Sequence, residues 1–206
     1  MTFASKYLDE TAAIAHTLDA EAIERMAAAL SEVRRQGGRL FIIGAGGGAG
    51  HASHAVNDFR KICDIESYAP SDNVSELTAR INDQGWDVAY SEWLRGSRIR
   101  SSDAVLIFSV GGGSKENGIS VSLVNAIDEA RAVGAQIFGI VGREQGYTAQ
   151  VADVCVVVPC PAPERLTPHA ESFQAVVWHL LVSHPSLAER AGTWETINDS
   201  ASSPGQ

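Results

Sequence analysis

Apolar side chains recur at helical spacing along the first part of the chain, and then the period changes abruptly. From about residue 5 to residue 36, Leu8, Ile14, Ile23, Met26, Leu30 and Val33 fall on one repeating face, which predicts helix. Leu18-Asp19-Ala20 offers a break, with Asp19 placed to cap a second helix, and Gly37-Gly38 ends the segment. Arg39–Ile43 is then a short apolar run between glycines, the pattern of a strand buried on both faces. A helical stretch from about Gly48 to Cys63 follows it. The same grammar returns further on. Ala104–Phe108 reads as a strand, Asn117–Val133 as a helix, Gln136–Val141 as a strand, Tyr147–Ala152 as a short helix and Val154–Val158 as a strand. His169–Ser183 reads as a strong closing helix, and Tyr68 with its neighbours as a further short strand. Strands alternating with helices predict an α/β fold, a three-layer doubly wound parallel sheet.

Composition narrows the class. The 206 residues suit one domain, assigned to 1–197 with its N-terminal helical segment. Residues 198–206 are rich in Ser, Pro, Gly and Gln and read as a disordered tail. Lys and Arg number 16 against 25 Asp and Glu, a net charge of −9, which argues against a nucleic-acid partner. No run approaches the ~18 apolar residues of a membrane span. The acidic, amphipathic start is unlike a secretory leader. Cys63, Cys155 and Cys160 form no CxxC pair, so they read as buried reduced thiols in a cytoplasmic protein.

Two glycine-rich turns each end a strand and open a helix: Gly44-Ala45-Gly46-Gly47-Gly48 and Ser109-Val110-Gly111-Gly112-Gly113-Ser114. In a parallel sheet such turns lie at the ligand-binding edge, and helix N-termini there favour anions. The first turn matches a dinucleotide fingerprint only loosely, because no acidic residue ends a second strand about 20 residues on. Ser109 and Ser114 can donate to a phosphate, and Ser114 can equally cap the next helix. His54 and Asp58, at i and i+4, share one helix face, and so, roughly, do Glu171 and His179 at i and i+8. Alone, each histidine is more simply a surface or core residue. His51, one turn before His54, is a substrate contact or a solvated side chain. His169 opens the closing helix and can face the site. Trp86, Trp93, Trp178 and Trp194 read as core or interface aromatics.

The order of these motifs, with Asn82-Asp83-x-Gly85 between the two turns, resembles the sugar isomerase (SIS) domain over about residues 5–184. Within it the chain most resembles the phosphoheptose isomerases. The resemblance implies a flavodoxin-like core with N-terminal helices used for oligomerisation. It implies an aldose–ketose isomerase that converts sedoheptulose 7-phosphate to D-glycero-D-manno-heptose 7-phosphate through an enediol. Asp58 and His179 then carry protons. Ala45, Gly46, Gly47, Gly48, His54, Asn82, Asp83, Ser109, Val110, Gly111, Ser114 and Glu171 line the substrate. One zinc ion per subunit is held by His54, Asp58, Glu171 and His179. The assembly is a homotetramer with sites between subunits.

The chain departs from the family at several of these positions. Ala45 replaces an asparagine and Gly48 a serine, while Val110 and Gly111 replace hydroxyl residues. Asp58 replaces a glutamate, and Glu171 a glutamine. Lys115 or Arg143 can restore charge to the thinned phosphate loop. The alternatives are an isomerase of another sugar phosphate, and a non-catalytic SIS module that binds a sugar phosphate or a protein.

Overall fold

The computed structural model describes residues 1–190. Five strands form one parallel sheet in the order β2-β1-β3-β4-β5: β1 Leu40–Gly44, β2 Ser67–Tyr68, β3 Ala104–Ser109, β4 Gln136–Val141 and β5 Val154–Val157. Successive side chains of a strand point to opposite faces. Leu40, Ile42, Leu106 and Phe108 therefore join one core, and Phe41, Ile43, Val105 and Ile107 the other. Helices α1 Phe3–Thr17, α2 Ala20–Arg35, α3 Gly47–Lys61 and α8 Leu166–Ser183 contribute to the first core. On the second face pack α4 Val74–Gln84, α5 Trp86–Gly96, α6 Val121–Ala132 and α7 Tyr147–Val151. This is the predicted doubly wound sheet.

The N-terminal segment breaks where expected. Asp19 caps α2, its carboxylate accepting from the Ala22 amide at 3.0 Å. α1 buries only Glu10 and Ile14 and leaves Phe3 and Leu8 exposed. A buried polar cluster holds it down. Arg165 donates to Glu10 through Nε at 2.7 Å and Nη2 at 2.6 Å, and His169 Nε2 lies 3.0 Å from the same carboxylate. Tyr7 stacks on the His169 ring at 4.5 Å. His169 is therefore a buried tie between α1 and α8, and does not face the site.

Two further boundaries differ from the sequence pattern. α6 begins at Val121, four residues later than expected, because Ser114 and Ile119 pair as an isolated antiparallel bridge and Ser120 turns through φ 51°. Ser114 therefore does not cap α6; its Oγ accepts from Asn117 inside the bridged loop. α8 begins at Leu166, ahead of the expected His169, since Pro168 fits a first helical turn where amide hydrogens lack partners anyway. Cys63 is buried and Cys155 and Cys160 half-buried, all as free thiols, and burial pushes Cys63 and Cys155 up to about 12. Among the described residues no helix is long and apolar enough to cross a membrane. The expected tail and Trp194 lie outside the described residues.

Candidate active site

The sheet order reverses direction between β1 and β3, the position where open α/β sheets bind ligands. Gly44 and Phe108 are register partners there, so the two glycine turns emerge side by side. Gly46 caps α3 with φ 58°, a conformation that favours glycine. A Cβ at Gly48 would sit 2.7 Å from the Phe108 carbonyl oxygen, so a side chain is excluded where α3 crosses β3.

The second turn is braced from below. Ser109 Oγ accepts from Gly112 N at 3.0 Å, Gly112 O accepts from Thr148, and Gly113 O accepts from Tyr147 N. Among the described residues the amides of Gly111 and Gly113 donate to no protein acceptor. They and the Ser109 and Ser114 hydroxyls are among the turn's donors left free toward an anion. Lys115 is paired with Asp128 at 2.7 Å, over the Tyr147 ring, while Arg143 lines a cleft of about 290 Å³ with Pro159 and Cys160.

Three side chains converge beside these turns. His54 Nε2 lies 3.6 Å and His179 Nε2 3.7 Å from Asp58 Oδ2, and their ligand atoms all fall within 4.8 Å of one another. Donor atoms around a tetrahedral zinc sit about 3.4 Å apart, so the spacing fits a cation better than direct hydrogen bonds. His179 Nδ1 is 2.8 Å from the Ala175 carbonyl, which accepts its proton and leaves Nε2 with a free lone pair. Asp58, only 7% exposed, is oriented by Trp178 Nε1 donating to Oδ2 at 3.2 Å and by the Asn57 amide donating to Oδ1 at 3.0 Å. The Trp178 indole meets His51 and His54 edge-on at 5.1 and 5.2 Å. Sequence pattern gave this tryptophan only a packing role; its hydrogen bond to a residue 120 positions away leaves no local signal.

The other expected site residues are placed differently. Glu171 is outside the three-residue group. Eight residues separate it from His179, about 12 Å along α8. Its carboxylate instead covers Gly47, where an added Cβ would come within 2.6 Å of it. That puts a negative charge at the N-terminus of α3, where the helix dipole favours one. Burial pushes the His51 imidazole down, opposed by the Glu171 charge. Asn82 and Asp83 pair with each other on exposed α4, and no recorded contact joins them to His54, Asp58 or His179.

The fold is shared with known proteins. The SIS domain family profile matches residues 6–142. A phosphoheptose isomerase from Rhodospirillum rubrum is 29% identical over 167 residues, covering 79% of this chain and 83% of that protein. The lincomycin biosynthesis protein LmbN of Streptomyces lincolnensis is also 29% identical, over 86% of this chain and 66% of that protein. The structure of phosphoheptose isomerase GmhA from Neisseria gonorrhoeae superposes with a TM-score of 0.77 at 21% identity, covering 87% of this chain and 96% of that one. The chain belongs to the SIS domain family, close to its phosphoheptose isomerases.

Proposed function

We propose that this protein is an aldose–ketose isomerase that interconverts sedoheptulose 7-phosphate and D-glycero-D-manno-heptose 7-phosphate through an enediol. The observation that carries this is the convergence of His54 and His179 on the buried carboxylate of Asp58 at the switch point of the sheet. The similarity to phosphoheptose isomerases supports the choice of sugar.

The reaction moves a proton between adjacent carbons and a second proton between their oxygens, so it needs two proton carriers and a way to hold developing negative charge. Asp58 is the carrier for carbon, aimed by the Trp178 N–H and the Asn57 amide. His179 is the carrier for oxygen, since its Nε2 is left as the basic nitrogen. His54, Asp58 and His179 are the residues that would hold one zinc ion, with Glu171 able to complete the set by turning its side chain from Gly47 toward them; since one lone pair serves either a metal or a proton, His179 Nε2 would have to be free of the ion to carry a proton. When bound, zinc supplies a Lewis acid that polarises the sugar oxygens. Ser109 and the free amides of Gly111 and Gly113 hold the phosphate. The first turn does not suit it, because the Glu171 carboxylate already covers Gly47 and would repel a dianion.

The reading includes a homotetramer in the cytoplasm. Phe3 and Leu8 on α1, and Val176 and Leu180 on α8, are exposed apolar side chains that a second copy would cover.

A second reading is an isomerase of a different sugar phosphate. Val110 and Gly111 offer no hydroxyls, and a protein of lincomycin biosynthesis matches as well as a phosphoheptose isomerase does. Incubation of the zinc-supplemented protein with sedoheptulose 7-phosphate, read by chromatography of the products, separates them. An aldoheptose phosphate supports the first reading. No product from this sugar, with conversion of another ketose phosphate, supports the second.

A further inference from the structure

Beside the His54–Asp58–His179 group lie two buried polar atoms without partners, Nδ1 of His51 and Oε1 of Gln174. Gln174, on α8, is fully buried, and its Nε2 donates to the Ile140 carbonyl of β4 at 3.4 Å. α3 and α8 run side by side, with Gly47 against Glu171 and both His51 and Asp58 against Trp178, so Gln174 falls opposite His51. The two orphaned atoms are chemically complementary, a ring N–H and an amide oxygen. Buried polar groups are nearly always paired, and each of these is the other's natural partner.

That pairing determines what His51 offers. With Nδ1 donating to Gln174, Nε2 keeps its lone pair. The His51 ring is half-buried, and among the described residues no recorded hydrogen bond engages Nε2. Trp178 holds the ring edge-on at 5.1 Å. Glu171, one turn before Gln174 on α8, brings a carboxylate to the same mouth, over Gly47. The mouth of the first turn is thus lined by two acceptors. A ligand must bring donors to it, and a polyol chain has them, whereas a phosphate does not.

We propose that His51 is a substrate-contacting residue of the isomerase site, its Nε2 accepting a hydrogen bond from a hydroxyl of the open-chain sugar phosphate, and that Gln174 is its positioning residue. This rests on the isomerase reading above. It sets the direction of the bound sugar: hydroxyls over the first turn, phosphate on the second.

The test uses His51→Phe, which keeps a ring against Trp178 and removes both nitrogens, and Gln174→Met, which keeps the volume and removes the acceptor. For His51→Phe, KM and the calorimetric Kd for sedoheptulose 7-phosphate rise about tenfold, the loss of one hydrogen bond to the substrate, and the rise persists at temperatures well below the melting transition. Gln174→Met shifts both constants the same way, and Gln174→Glu, which retains an acceptor, recovers most of the loss. Wild-type KM and Kd in His51→Phe, or losses in both variants that only follow a fall in melting temperature, overturn the proposal and leave the isomerase reading standing. A wild-type protein that neither binds nor converts the sugar overturns the reading beneath it as well.

Discussion

Replacing Trp178 with Phe removes one atom group that the site depends on, the indole N–H that donates to Asp58 Oδ2 at 3.2 Å. A hydrogen bond to a charged group contributes ~1.5–3 kcal/mol. Asp58 is 7% exposed, so water does not replace the lost donor, and only the Asn57 amide remains. For a chain of this size each kcal/mol shifts the melting temperature by about 2–4 °C, so calorimetry of Trp178→Phe should show a fall of roughly 3–12 °C. The smaller ring also loosens contact with His51, His54 and Phe108, which adds to the loss. A carboxylate misplaced by about 1 Å costs on the order of 100-fold in rate, so kcat should fall by one to two orders of magnitude. The sharper assay is a double-mutant cycle. In an Asp58→Asn background the acceptor is neutral, and the Trp178→Phe penalty should shrink by about 1–1.5 kcal/mol, the difference between a charged and a neutral hydrogen bond. Strict additivity of the two substitutions, or a wild-type rate in Trp178→Phe, refutes the claim that this indole aims Asp58.

Other outcomes follow from the same geometry. His179→Ala should lower turnover by about 10²–10⁴-fold with little change in melting temperature, since the side chain is half-exposed and its loss removes a proton carrier; steady-state kinetics beside calorimetry decides it. Gly47→Ala should fold, because its new methyl meets only the movable end of Glu171, while Gly44→Ala, 2.4 Å from the Gly48 backbone, should destabilise by about 1–3 kcal/mol; a loss of activity in Gly47→Ala without loss of stability places Glu171 at the substrate. Arg165 and His169 hold the Glu10 carboxyl at about 2, below its ordinary 4.5, so its contribution to stability is full above pH 4.5 and is lost as pH falls toward 2. Melting curves across that window should be steeper for the wild type than for Glu10→Gln. Zinc at low micromolar concentration should raise the melting temperature of the wild type and not of a protein carrying both His54→Ala and His179→Ala; equal shifts count against the three-residue site.

Much of the fold was legible because it rests on local patterns. Arg39–Ile43 and Ala104–Phe108 are apolar runs bounded by glycine and polar residues, and both are strands buried on both faces. Asp19 caps α2 as its position suggests. The i, i+4 spacing of His54 and Asp58 was also readable, since one helix sets it. What sequence did not show depends on packing between distant segments. α4 and α5 carry no run long enough to announce them, and the break between them is Gly85 at φ 93°. The late start of α6 comes from the Ser114–Ile119 bridge. His169 was drawn away from the site by Glu10, 159 residues earlier in the chain. Helical spacing put Glu171 on the face of His179, two turns away, but could not show its carboxylate turned toward Gly47. The missing side chain at Gly47 is what lets its carboxylate reach the start of α3.

The most direct test of the account is proton NMR of sedoheptulose 7-phosphate with the zinc-supplemented protein in deuterated water. The account predicts an aldoheptose phosphate, with deuterium at carbon 2 to the extent that the carried proton exchanges with solvent, and neither product nor label with His179→Ala. A wild-type protein that gives no aldose and no exchange with this sugar contradicts it.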